Sequence, residues 1–172
     1  TAFARVKDLN VKRLSSLDKE SNRLVTKKWL EWLSQYKSER PFFSYLHYDP
    51  PMNAIDSIDF NLIPKQFLTK QTDEHLKEVG RYTQSILFVD SEIDTILESL
   101  KSNGLLKETV IIITSDHGYE LDDYGTGYYG HASNYSRAQL KTPLIMLWPN
   151  REPKEFTQRT SHNDIVPTLL TE

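Results

Sequence analysis

Asp116 and His117 stand side by side within VIIITSDHGYE (Val110 to Glu120), just after an apolar β-branched run and Thr114-Ser115. A carboxylate oxygen beside an imidazole nitrogen is a mixed donor pair, suited to zinc or manganese more than to calcium. The apolar run reads as a short buried strand, and α/β sheets bind ligands in the crevice beyond the carboxyl ends of their strands. Gly118 lets the backbone turn sharply with no Cβ in the way. The plainer alternative for a bare Asp-His-Gly is an aspartate that caps a helix and a histidine that packs.

The elements needed to hold such a pair are legible on either side of it. From about Asp18 to Tyr36, the residues Leu24, Val25, Trp29, Leu30, Trp32 and Leu33 recur at helical spacing, and Arg40-Pro41 stops the pattern. Phe42 to Tyr48 is short and aromatic, a strand by composition, and Asp49-Pro50-Pro51 turns it into a polar loop running to about Lys70. The clearest helix spans about Thr72 to Ser102. Its stripe is Leu76, Val79, Ile86, Ile93, Leu97 and Leu100, with Thr83 and Asp90 at the remaining steps. Asp90 is therefore expected on the apolar face, tying down a neighbouring backbone, because an unpaired buried carboxylate is costly; the alternative is a functional role. Asn103-Gly104 is a helix stop. After the strand at 110–114 come a Gly/Tyr-rich loop (Tyr124 to Gly130), expected to be a flexible lid, a buried strand over Thr142 to Pro149, and a helix starting at Asn163-Asp164. Helices alternating with wholly apolar strands predict an α/β fold with a mostly parallel sheet sandwiched by helices.

The 172 residues make one domain's worth of chain, and with a net charge of −3 there is no basic stripe, so no nucleic-acid partner is expected. No apolar run approaches the roughly 18 residues of a membrane span, and no signal peptide is expected at Thr1. The lack of cysteine excludes disulfides and thiolate metal sites and leaves the redox compartment open. Opening at Thr1 without Met and closing at Glu172 just after a helix begins, the chain reads as a piece of a longer protein. Ser115 lacks the G-x-S-x-G elbow of a serine hydrolase. Gly125-x-Gly127-x-x-Gly130 fits a dinucleotide-binding pattern but follows no strand and opens no helix.

Taken in order, SDHG, GHAS with Tyr135, Gln139, TPLI, WP and HNDIVPTLL resemble the alkaline phosphatase/sulfatase superfamily, from roughly Pro41 to the end of the chain. Within it the sequence is similar to the membrane-anchored bacterial branch of phosphoethanolamine transferases and lipoteichoic acid synthases, and there to the YejM-type (PbgA) inner-membrane group. Asn22-Arg23-Leu24-Val25-Thr26 before a Trp-rich helix, and PFFSYLHYD after it, carry that last likeness. The resemblance implies that residues 1–172 are the C-terminal portion of a sulfatase-like domain in the periplasm, with the N-terminal half and a membrane anchor outside the chain. It implies that Asp116 and His117 bind a catalytic divalent metal (Zn, Mn or Mg). It implies that His131 contacts the transferred phosphoryl or sulfuryl group, or a second metal; the plainer alternative for His131 is a loop histidine in water. Asp164 and Pro167 match a recurrent DxxPT turn, taken as structural. A metal on the Asp116–His117 pair would activate a bound hydroxyl and neutralise charge on the ester oxygens, while His131 stabilises charge developing in transfer.

Two features depart from the family pattern. The nucleophile and the remaining acidic ligands belong to the N-terminal half, and two protein ligands are fewer than the roughly three or four that zinc usually takes. Pro51-Met52 stands where many relatives carry Pro-His, and Met52 cannot do for a phosphate what an imidazole does. His47 faces a side set by strand parity; it is expected to be a packed core histidine, the alternative being that it compensates for the imidazole missing at Met52. The implied function is a metal-dependent hydrolase or transferase of phosphate or sulfate esters at the cell envelope, with a lipid head group among the candidate substrates. The alternative is a catalytically inactive sulfatase-like scaffold that binds lipid or protein partners in envelope lipid homeostasis. Met52 and the interface-type residues Tyr124, Tyr128 and Tyr129 speak for the alternative.

Overall fold

Two helices carry the larger core: α1 (Lys19–Gln35) lies against α2 (Asp73–Ser102), burying Trp29 and Leu33 of the first on Ile96 and Leu100 of the second. The computed structural model describes residues 19–37, 40–49, 55, 58–67 and 72–171; Asp18, Pro51-Met52 and the end of the long loop near Lys70 lie outside the described residues.

α2 starts and stops where its sequence says. The Thr72 hydroxyl accepts from the His75 N–H at 3.3 Å, and Asp73 and Glu74 sit in the positively polarised first turn. At the other end Gly104 takes φ +73°, the Gly104 N–H donates to Lys101 O (3.0 Å) and the Leu105 N–H to Leu100 O (2.8 Å). This is a Schellman stop, which favours glycine because a Cβ is strained in the left-handed region. The buried positions of α2 are His75, Val79, Gly80, Ser85, Ile96 and Leu100. Asp90 is not among them. It is exposed, contrary to the sequence expectation, and Ile86 is 42% exposed as well. The inward line passes through Glu92, whose carboxylate accepts from the buried Thr26 hydroxyl of α1. The helix thus turns a polar position inward where α1 offers a donor, and leaves Asp90 in water.

Residues 40–49 run back along α1. Asn22 clamps the far end of this segment: its Nδ2 donates to Asp49 O (2.7 Å) and its Oδ1 accepts from Asp49 N (2.9 Å). The Thr26 hydroxyl donates to Glu92, so the Tyr48 hydroxyl donates to Thr26 Oγ1 (2.9 Å). Burial is the chief reason the Tyr48 pKa is raised. Phe42 and Leu46 join the core, while Phe43 (83% exposed) and Tyr45 (77%) point away from it. That alternation is strand-like, but among the described residues the expected strand over Phe42–Tyr48 has no ladder partner. His47 falls on the outward side. It is exposed and meets the Tyr45 ring edge-on at 6.4 Å, so it is not the packed core histidine expected.

The strands are β1 (Ile111–Thr114), β2 (Glu120–Leu121), β3 (Tyr129–Gly130) and β4 (Leu144–Leu147), with a one-turn helix α3 (Arg137–Leu140) before β4 and α4 (Ile165–Thr171) near the end. Both ladders are antiparallel: β1 with β4, Thr114 opposite Leu144 and Ile111 opposite Leu147, and β2 with β3. The mixture of helices and strands expected of an α/β chain is present, but the mostly parallel sheet is not what these strands form. The reason lies in the connection. Between β1 and β4 the chain makes a hairpin and one helical turn, both held at the carboxyl end of β1. β4 therefore starts where β1 stops and must run back.

A second, smaller core gathers Ile63, Val79 and Leu121 with Tyr82, Tyr119 and Tyr129 around the hairpin. Gly80 makes this possible, since a Cβ there would come within 2.3 Å of Ile58 Cγ2.

Candidate active site at the end of strand β1

β1 delivers its last residue, Thr114, to a crowded corner. The Thr114 hydroxyl donates to Pro143 O (2.7 Å), tying the end of β1 to the start of β4. With that proton committed, the contact at 3.0 Å between Thr114 Oγ1 and His162 Nε2 is read with the imidazole as donor. His162 opens the turn leading into α4, where Asp164 Oδ2 accepts from the Ser161 N–H (2.7 Å). The DxxPT segment therefore acts locally as a helix cap.

Two residues past Thr114 the chain presents Asp116, its side chain 79% exposed, and His117, 45% exposed. Asp116 Oδ1 accepts from the His117 N–H at 3.0 Å and lies 3.6 Å from His117 Nε2. His117 Nδ1 is 2.8 Å from Gly118 O, a carbonyl that can only accept, so Nδ1 carries a proton and Nε2 faces the side of the Asp116 carboxylate. A ring tethered through one nitrogen to a carbonyl, with the other nitrogen bare, is the usual arrangement of a metal-binding histidine.

Gly118 is the hinge of this turn. A Cβ there would sit 2.0 Å from Ala138 O and 2.9 Å from Lys141 O, and the Gly118 N–H donates to Gln139 O at 2.8 Å. The Asp-His-Gly turn is thus pressed backbone to backbone on α3.

His131 arrives from the other side of the hairpin, and the structure brings it onto His117: ring centroids 4.2 Å apart, planes inclined by 18°. The Tyr119 ring lies 5.9 Å from His131 and stacks on Tyr82 at 5.5 Å. Burial is the first cause of the raised pKa at Tyr119, with Glu78 adding to it; burial, then Asp123, raises that of Tyr82. The Tyr128 hydroxyl donates to His131 O (2.9 Å), and Ala132 takes the left-handed φ of +62°.

The loop expected to be a flexible lid is the turn of the β2–β3 hairpin. Asp122 Oδ1 accepts from the Gly127 N–H and Asp123 Oδ2 from the Leu121 N–H, both at 2.8 Å. Of its tyrosines, Tyr129 donates or accepts with buried His75 at 3.1 Å, and Tyr124 is 56% exposed.

Three residues at this corner carry no role in the sequence reading: Glu120, Gln139 and His162. Glu120 is 1% exposed, and its Oε2 accepts from Ser136 Oγ (2.8 Å), Gln139 Nε2 (3.0 Å) and Asn134 Nδ2 (3.4 Å). Those bonds, Ser136 first and Gln139 second, lower its pKa against the opposing effect of burial. The one local signal was Ser136-x-x-Gln139, a capping-box spacing that marks the start of α3.

Asp116 and His117 fit a divalent metal as two donors converging from one turn. Among the described residues no group of three or more His, Asp or Glu side chains is placed to hold one. No described helix is long and apolar enough to cross a membrane.

Comparison with known proteins places the chain in a family. The Sulfatase family model matches residues 4–171. The chain is similar to the inner membrane protein YejM of Salmonella typhimurium, 26% identical over 152 residues covering 88% of this chain and 22% of that protein. It is similar to the uncharacterized sulfatase YdeN of Escherichia coli, 31% identical over 136 residues, 77% of this chain and 23% of that one. It is also similar to an endo-4-O-sulfatase of Bacteroides thetaiotaomicron, 31% identical over 148 residues, 77% and 29%. The chain spans about a quarter of the length of these curated relatives. With the family model matched almost end to end, the chain belongs to the sulfatase family, within the alkaline phosphatase-like superfamily.

Proposed function

We propose that this chain is the C-terminal part of a metal-dependent hydrolase or transferase of phosphate or sulfate esters at the cell envelope. The observation that carries the reading is the convergence of three side chains: Asp116 and His117 from one turn, and the His131 ring laid against His117 from another. In this reading Asp116 Oδ1 and His117 Nε2 hold a zinc, manganese or magnesium ion. Such an ion supplies Lewis-acid stabilisation of the ester oxygens and lowers the pKa of a bound hydroxyl. His131, exposed beside them, hydrogen-bonds the group being transferred and steadies its charge. Gly118 and α3 keep the turn from relaxing, so the donors need little reorganisation on binding. The nucleophile and further ligands come from the rest of the full-length protein, as does a membrane-anchoring segment. That part also supplies the strands that complete a mostly parallel sheet around β1 and the Phe42–Tyr48 segment. The similarity to the inner membrane protein YejM supports an inner-membrane protein; the periplasmic side for this domain and a lipid head group as the ester are part of the proposal. The test uses purified full-length protein with a model aryl phosphate and aryl sulfate. Cleavage should require added divalent metal and vanish in Asp116→Ala; activity surviving that substitution removes the mechanism.

One observation favours a second reading, an inactive scaffold that binds lipid or protein partners in envelope lipid homeostasis. The metal donors brought together among the described residues number two, below the roughly three or four of a closed zinc site. Calorimetry on the full-length protein separates the two: tight metal binding abolished by His117→Ala supports the enzyme, and its lack in the wild type supports the scaffold.

A further inference from the structure

His117 and His131 belong to different loops, and both loops are fastened to Gln139. The Gly118 N–H, next to His117, donates to Gln139 O at 2.8 Å. The Ser133 N–H, two residues beyond His131, donates to Gln139 Oε1 at 3.3 Å, and Gln139 Nε2 donates to Ser133 Oγ at 3.1 Å. Gln139 is 4% exposed, so its amide has no water to turn towards. Glu120 decides which way that amide points. Its carboxylate can only accept, and Gln139 Nε2 donates to Glu120 Oε2 at 3.0 Å. A flipped amide would set oxygen against carboxylate and NH2 against the Ser133 N–H, losing both bonds at once. Glu120 is itself immobilised by Ser136 and Asn134. Between the His131 carbonyl, held by Tyr128, and Ser133, held by Gln139, lies the left-handed Ala132, a conformation that persists only where its neighbours impose it.

We propose that Glu120 and Gln139 are positioning residues that set the face-to-face separation of the His117 and His131 imidazoles. Their role at the ester site rests on the functional reading above. They touch neither substrate nor metal in that reading. Gln139 fastens the two loops, and Glu120 keeps Gln139 in its one productive orientation.

The experiment is NMR on the full-length protein, observing the ring protons of His117 and His131, with the unfolding midpoint measured in parallel. The wild type should show cross-ring Overhauser contacts and the upfield ring-current shift of stacked imidazoles. Gln139→Leu should lose both while the His75–Tyr129 contact persists. Ser133→Ala, at an exposed position and removing one of two bonds, should shrink the shift. Asn134→Ala takes the longest bond from Glu120 and the 2.7 Å bond from the Ser136 N–H, and should shrink the shift less than Gln139→Leu does. An unchanged stack in Gln139→Leu overturns the proposal; if that variant does not fold, an unchanged shift in Ser133→Ala does so. The readout needs neither metal nor turnover. A wild type with the stack intact and no ester cleavage therefore removes the functional reading alone, and an active wild type whose stack survives Gln139→Leu removes the brace alone.

Discussion

The imidazole of His131 lies on that of His117 with 4.2 Å between ring centroids, although one ring follows strand β1 and the other follows the β2–β3 hairpin. Tyr119 flanks the pair, and Asp116 stands on its solvent side. In the proposed function the contact divides the labour at this corner: a metal-donor turn on one side, a ring left for the transferred group on the other.

That division predicts different losses for the two histidines. His117→Ala in the full-length protein should weaken divalent-metal binding by more than about 100-fold, beyond the range typical of outer-shell partners. His131→Ala should leave metal affinity within a few-fold and lower turnover by roughly 100- to 1000-fold, as for loss of one donor to a developing charge. Titration calorimetry and steady-state kinetics on the same preparations check both. A large loss of metal affinity in His131→Ala would reassign that ring as a ligand.

Gly118→Ala should be among the more damaging single-methyl changes in this chain. The new Cβ meets two main-chain carbonyls, Ala138 O at 2.0 Å and Lys141 O at 2.9 Å, and neither can step aside without moving α3. Overpacking of this kind costs about 1–3 kcal/mol, and the Gly118–Gln139 hydrogen bond goes with it. Denaturant titration measures the cost, and a change below about 0.5 kcal/mol, the ordinary range for a neutral surface substitution, would contradict the contact.

Glu120 makes the acid side of the stability profile informative. Its pKa is lowered in the folded chain from an ordinary 4.5, by the Ser136 and Gln139 hydrogen bonds first. A depressed carboxylate contributes stability that is fully present above its unfolded value and is lost as pH falls through the folded one. Stability should therefore decline below about pH 4.5, and Glu120→Gln should flatten that limb. Thermal melts between neutral pH and pH 3 compare the two, and parallel curves would show that Glu120 binds protons equally in both states.

Asn22→Ala should free the end of the Phe42–Asp49 segment. The amide makes two hydrogen bonds to one residue's backbone, and Asn22 is 2% exposed while Asp49 is exposed, so water can replace part of what Asp49 loses. The loss should therefore cost about 0.5–1.5 kcal/mol per hydrogen bond. Hydrogen exchange should show the Asp49 amide losing protection while α2 keeps its own.

Local chemistry explains which elements were readable in advance. The limits of α2 follow from Thr72 and Asn103-Gly104, whose hydrogen bonds span only a few residues. The faces of that helix did not follow so well. Asp90 fits a helical stripe on paper, yet it is exposed, because Thr26 on another helix offers Glu92 a partner instead. His47 could be placed on either side by parity alone, and the Asn22 and Tyr48 contacts that set its outward side come from α1.

From its residues alone the chain declared its family, and it laid out the turn on which the proposed site rests: an apolar strand, then aspartate, histidine and glycine, with a second histidine further on. Chain order is enough for that, because each signal is carried by neighbours in sequence. Tertiary structure decided the direction of β4, the burial of Glu120 and the meeting of the two imidazoles. Each of these depends on which distant backbone a side chain finds once the loops close on α3, and no spacing along the chain encodes that choice.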